Sequence, residues 1–77
     1  MIIATRILVL QHKSAEQPVQ VSLHAPVQGD GFWSCQFEIA WPEGAKVDEA
    51  RGFDGMQALH LAMQKISVHL YASDHHA

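Results

Sequence analysis

Apolar side chains recur on two different periods along this chain, and the change from one to the other marks its main division. From Gly52 to Ser73, in GFDGMQALHLAMQKISVHLYAS, Met56, Leu59, Met63, Ile66 and Leu70 follow one another at spacings of 3, 4, 3 and 4. At 3.6 residues per turn these positions form one stripe along a helix. Asp54 is its N-cap, a carboxylate able to accept from backbone N–H groups two or three residues on, and Gln57 stands third after it as in a capping box. A helix cannot bury its own stripe, so the residues before it must supply the cover.

Those residues alternate with a period of two. In FWSCQFEIAW, Trp33, Cys35, Phe37, Ile39 and Trp41 share one face, and Ser34, Gln36 and Glu38 the other. Before it, Val19, Val21, Leu23, Ala25 and Val27 alternate with Gln20, Ser22, His24 and Gln28, with Pro26 ending the pairing or sitting at an edge. Residues 2–11, IIATRILVLQ, read as a first strand apolar on both faces: Ile3, Ile7 and Val9 with Thr5 on one side, Ala4, Leu8 and Leu10 with Arg6 on the other. The polar segment up to Pro18 and the Gln28-Gly29-Asp30-Gly31 stretch are the turns between strands, Asp-Gly supplying the positive φ of a short hairpin. Pro42-Glu43-Gly44 closes the third strand, and the charged run from Ala45 to Arg51 reads as a loop leading into the helix. The pattern predicts a single α+β domain over residues 1–77, a three-stranded antiparallel β-meander with one C-terminal α-helix packed on one face, and a frayed tail over 73–77.

Composition narrows the function classes. Seventy-seven residues, 48% apolar and 17% charged, describe one small globular domain whose stability margin oligomerisation would widen. Five Lys/Arg against eight Asp/Glu, a net charge of −3, leave no basic footprint for nucleic acid. Cys35 is the only cysteine, which excludes an intramolecular disulfide framework and a cysteine-rich zinc site and suits a reducing cytoplasm. The apolar N-terminus has no basic leader region and is broken by Arg6, so it reads as a strand and not as a signal peptide. No run approaches the roughly 18 apolar residues that span a bilayer.

The run from FWSCQFEIAWPEG to GFDGMQALHLAMQKISVHLYASD resembles a family of small uncharacterised bacterial proteins, a domain of unknown function. The resemblance rests on a tryptophan-containing strand, the Trp41-Pro42-Glu43-Gly44 turn, the helix start Gly52-x-Asp54-x-x-Gln57-Ala58-Leu59 and the end Tyr71-x-Ser73-Asp74. It implies a bacterial source and a compact strand-then-helix fold, and it transfers no catalytic residue or cofactor.

Candidate chemistry is sparse. Of six histidines, His60 and His69 are nine apart, which turns them about 180° from one another on a helix, so they cannot share an ion within one subunit. Asp74, His75 and His76 are weak metal candidates on the tail, where adventitious binding is the simpler account. Cys35 lies on the apolar face and His24 on the polar face of its strand, so the thiol reads as buried and inert. Glu38, Glu43, Asp48, Glu49 and Asp54 form a loose acidic set around the strand-to-helix connection that solvates a surface and caps the helix. Gly52-Phe53-Asp54-Gly55 lacks the following Lys and Ser/Thr of a phosphate-binding loop. Apolar residues left over are more informative: Ile3, Ile7 and Val9 on the first strand, and Leu61 and Val68 opposite the helix stripe, are candidates for an interface.

These features point to a non-catalytic protein-interaction or accessory module acting as a homodimer, through the first-strand edge or the open sheet face, with an unknown protein as a further partner. They imply no cofactor, no nucleic acid and no membrane. The rival reading is a small enzyme or metal-binding protein whose site lies at a dimer seam joining His60 or His69 of two chains, or at the acidic turn. Catalysis requires several convergent polar groups in a pocket, and the sequence offers few.

Overall fold

The computed structural model describes residues 1–12 and 15–72. Five strands, β1 (Ile2–His12), β2 (Ala15–His24), β3 (Val27–Gln28), β4 (Trp33–Trp41) and β5 (Gly44–Gly52), precede one helix, α1 (Gly55–Ala72). All pairings are antiparallel. β1 pairs with β2, β2 and the short β3 lie along one edge of β4, and β5 takes its other edge.

The expected α+β architecture is present, with an antiparallel sheet and one C-terminal helix, but the sheet has five strands and not three. The first difference is at Pro26. β2 stops at His24, and Val27 leaves the apolar row of that strand for the two-residue β3, where it is exposed. The second is β5, which occupies the stretch read as a charged loop. Lys, Asp, Glu and Ala have low strand propensity, and the turn before β5 is Pro42-Glu43 rather than a glycine or asparagine pair. Gly44, at φ 150°, opens the returning strand opposite Trp41. β2 also starts earlier than expected, with Pro18 inside it facing Val9. Since Val21 pairs with Ile39, Pro18 lies past the end of β4, where its missing N–H costs no bond toward that strand.

The core lies between one sheet face and α1. Val19, Val21 and Leu23 of β2, Cys35, Phe37 and Ile39 of β4 and Ala50 of β5 meet Ala58 and Ala62 of the helix. Phe37 and Ile39 are fully buried, each contributing about 2 kcal/mol. The helix presents its predicted stripe here only in part: Leu59 and Ile66 pack half buried against the core. Ala58 and Ala62 are fully buried, whereas Met56 is 83% and Met63 47% exposed. At about 100° per residue, the buried face sits roughly a quarter-turn from the stripe. The reason is distance: alanine lets the helix backbone approach a sheet face already filled by Phe37 and Ile39, which long side chains would hold away.

Asp54 caps the helix as the sequence predicts, while the return bond of Gln57 goes to the residue before the cap rather than to the cap's own N–H. Asp54 Oδ1 accepts from the Gln57 N–H at 2.8 Å, and Gln57 Oε1 reaches back to accept from the Phe53 N–H at 2.6 Å. Gly52 makes the turn from β5 possible, since a Cβ there would lie 2.6 Å from the Ala58 nitrogen.

Candidate interaction surface

β1 is the outermost strand on its side of the sheet. Its pairing with β2 continues through Val9↔Pro18, Leu10↔Gln17, Gln11↔Glu16 and His12↔Ala15, all beyond the last rung of β4. The two strands therefore run on past β4 for roughly 13 Å at 3.3 Å per residue, with no third strand paired to them among the described residues. It is part of why the molecule measures 46 × 22 × 17 Å. Ile3, Ile7 and Val9 are exposed, Ile7 at 66% and Val9 at 63%. Arg6 is the one Lys, Arg, Asp or Glu in the strand.

The opposite edge differs. β5 carries Lys46, Asp48, Glu49 and Arg51, the charge pattern that protects an edge from further pairing. Arg51 bonds Glu49 at 2.9 Å and lies 4.7 Å over the Phe32 ring. The sheet face away from α1 is polar at its centre, with Gln20 bonded to Ser22 at 3.2 Å and Glu38, Gln36 and Glu49 beside them, and carries the exposed Ile7 and Val9 on β1 and Val47 on β5.

Of the other interface candidates, Val68 is exposed, while Leu61 is half buried and packs against the core. Leu61 lies on the flank of the alanine face, so the quarter-turn that exposes Met56 draws it inward.

Asp48 and His69 form a pair that sequence reasoning did not single out. β5 turns its even residues toward the helix, as buried Ala50 shows, and this sets the Asp48 carboxylate against α1. There Oδ2 lies 3.5 Å from His69 Nε2 and 3.7 Å from Lys65 Nζ. Lys65 also donates to the Glu49 carbonyl at 2.9 Å, and the His69 ring tilts over Phe37 with centroids 5.8 Å apart. The N–H of Glu49, donating to Asp48 Oδ1, holds that carboxyl below its ordinary range, with smaller help from His69, Lys65 and Lys46 against the opposing effect of burial. The missed signal was the strand itself: with 45–51 read as loop, Asp48 had no defined side.

His60 is exposed, and His69 is half buried with Asp48 and Phe37 as its neighbours. Cys35 is fully buried, its thiol pushed up by burial and donating to the backbone carbonyl of His24 at 3.3 Å rather than meeting the imidazole of a catalytic pair. Among the described residues no three His, Cys, Asp or Glu side chains cluster as metal ligands. Asp74, His75 and His76 lie outside the described residues.

An open groove of about 320 Å³ runs between α1 and the β1–β2 half of the sheet. Ala4, Arg6, Val21 and Leu23 form its floor, and Met63, Ile66, Ser67 and Leu70 its wall. The helix stripe expected in the core thus faces this groove along half its length.

No helix among the described residues is long and apolar enough to cross a membrane. Neither a curated protein nor a solved structure matches the chain. A model of a domain of unknown function, DUF6968, matches residues 4–77, so the chain belongs to that family.

Proposed function

We propose that the protein is a small non-catalytic interaction module that works as a homodimer, two copies pairing through the outer edges of β1. The observation that carries this reading is the β1–β2 ribbon running past β4, in which β1 presents an exposed apolar row and one charge. A two-stranded ribbon alone is marginal in water, and an unguarded edge is a template for another strand. Antiparallel pairing across a two-fold axis would join two sheets into one, with both helices on the same side, because opposed residues of an antiparallel pair point to the same face.

A bacterial cytoplasm is the setting that fits. The lone buried cysteine suits a reducing compartment, and the Trp-Pro-Glu-Gly turn and capped helix start resemble those of small bacterial proteins. Catalysis is the weaker reading, since Asp48 and His69 line neither the groove beside β1 nor the shallower one around Phe53.

Light scattering at several concentrations, with Zn²⁺ and with a chelator, tests this. The expected result is a metal-indifferent dimer that Ile7→Lys converts to monomer without loss of secondary structure. Amide exchange adds the geometry: all N–H groups of the paired part of β1 are protected in a dimer, alternate ones in a monomer. A monomer at every concentration sinks the proposal, and a dimer that appears only with metal transfers the role to His60 or His69.

A further inference from the structure

We propose that the groove between β1 and α1 is a binding site for one small anionic amphiphile, a carboxylate on an unbranched alkyl chain. Met63, Ile66 and Leu70 stand over Ala4, Val21 and Leu23 with about 320 Å³ of open space between them. That volume falls within the range of small-molecule sites, about 300–1,000 Å³. From Met63 to Leu70 the apolar wall is roughly 10 Å long, the reach of a medium alkyl chain.

The charge of the ligand follows from Arg6. It is the one charged residue in the lining, and no carboxylate of the described residues lies within ion-pair distance of it. Among the described residues, Asp48 and Glu49 stand on the far strand β5 and Glu38 on the other face of the sheet. A chain of net charge −3 therefore presents a local cation at the rim of an apolar trough. A guanidinium binds a carboxylate with paired N–H donors, and the trough takes the alkyl chain. The site does not depend on the pairing of β1, which uses the outer backbone edge of the strand and leaves its helix-side face open.

The test is an NMR titration of the ¹⁵N-labelled full chain with decanoate below its micelle-forming concentration, beside decanol and decyltrimethylammonium. Saturable shifts confined to Ala4–Arg6, Val21–Leu23 and Met63–Leu70 are expected, with decanol binding roughly tenfold more weakly and the cation more weakly still. Arg6→Gln, at an exposed side chain, should lower decanoate affinity to that of decanol and leave decanol unchanged. Ala4→Trp, which fills the trough and keeps the cation, should remove both. Equal binding of decanoate and decanol, shifts centred on Ile7 and Val9, or binding only to decanoate-containing vesicles would each overturn the assignment. Repeating the titration in the Ile7→Lys background separates the two proposals: the groove should still bind when the dimer is lost.

Discussion

Asp48 on β5 lies within 3.5 Å of His69 and 3.7 Å of Lys65, so one carboxylate ties two helix residues, four apart, to the edge strand. Folding holds this carboxyl below the ordinary value of 3.8, first through the Glu49 N–H. The unfolded chain therefore takes up the proton before the folded one does. The stability Asp48 contributes is complete above the unfolded value and is lost as pH falls through the lower folded one. Asp48→Asn should decline less steeply in stability than the parent as pH falls below the ordinary carboxylate range, read by urea denaturation at each pH. Parallel curves would show that the pair does not couple protonation to folding.

Substitution on the helix should follow the alanine face and not the amphipathic stripe. Ala62→Leu, at a fully buried position, should cost about 1–3 kcal/mol through overpacking against the sheet. Met56→Ala, at a position 83% exposed, should change stability by less than about 0.5 kcal/mol. Chemical denaturation ranks the two, and the reverse order would return the stripe to the core.

Gly52→Ala tests the junction of β5 and α1. The added methyl would stand 2.6 Å from the Ala58 nitrogen and 3.0 Å from the Gln57 backbone, neither of which is a flexible side-chain end. A loss of about 1–3 kcal/mol is expected, seen as a lowered denaturant midpoint. An unchanged midpoint would mean that the helix start shifts freely.

Cys35 should resist a water-soluble disulfide reagent in the folded protein and react at once in denaturant. Burial both shuts out the reagent and disfavours the thiolate. Rapid reaction of the native chain would place the thiol in an opening segment of the sheet.

The elements that were legible in the sequence are those where one local rule acts alone. β4 alternates without interruption, Asp54 has its cap partner Gln57 in place, and Pro26 ends β2 as proline should. β5 was hidden because its strand identity comes from Trp41, Phe37 and Cys35 across the ladder, not from its own charged residues. The helix was plain but its rotation was not: hydrophobicity weighs Met63 above Ala62, whereas packing on a full sheet face rewards the smaller side chain. The candidates on β1 were readable as surplus apolar residues, and the Asp48–His69 pair only once β5 had a face.

Every strand of the sheet joins one close to it in sequence, and the order of synthesis gives that arrangement a further meaning. β1 and β2 leave the ribosome first and can zip through local rungs from His12↔Ala15 inward, a short and quickly closed loop. The ribbon then waits for β4 to flank β2, and for α1, last of all, to cover the inner face. During that interval the most adhesive strand of the chain is already formed and its far edge is bare. Lower expression temperature and slower synthesis should therefore raise the yield of folded protein more than added stability in the core would.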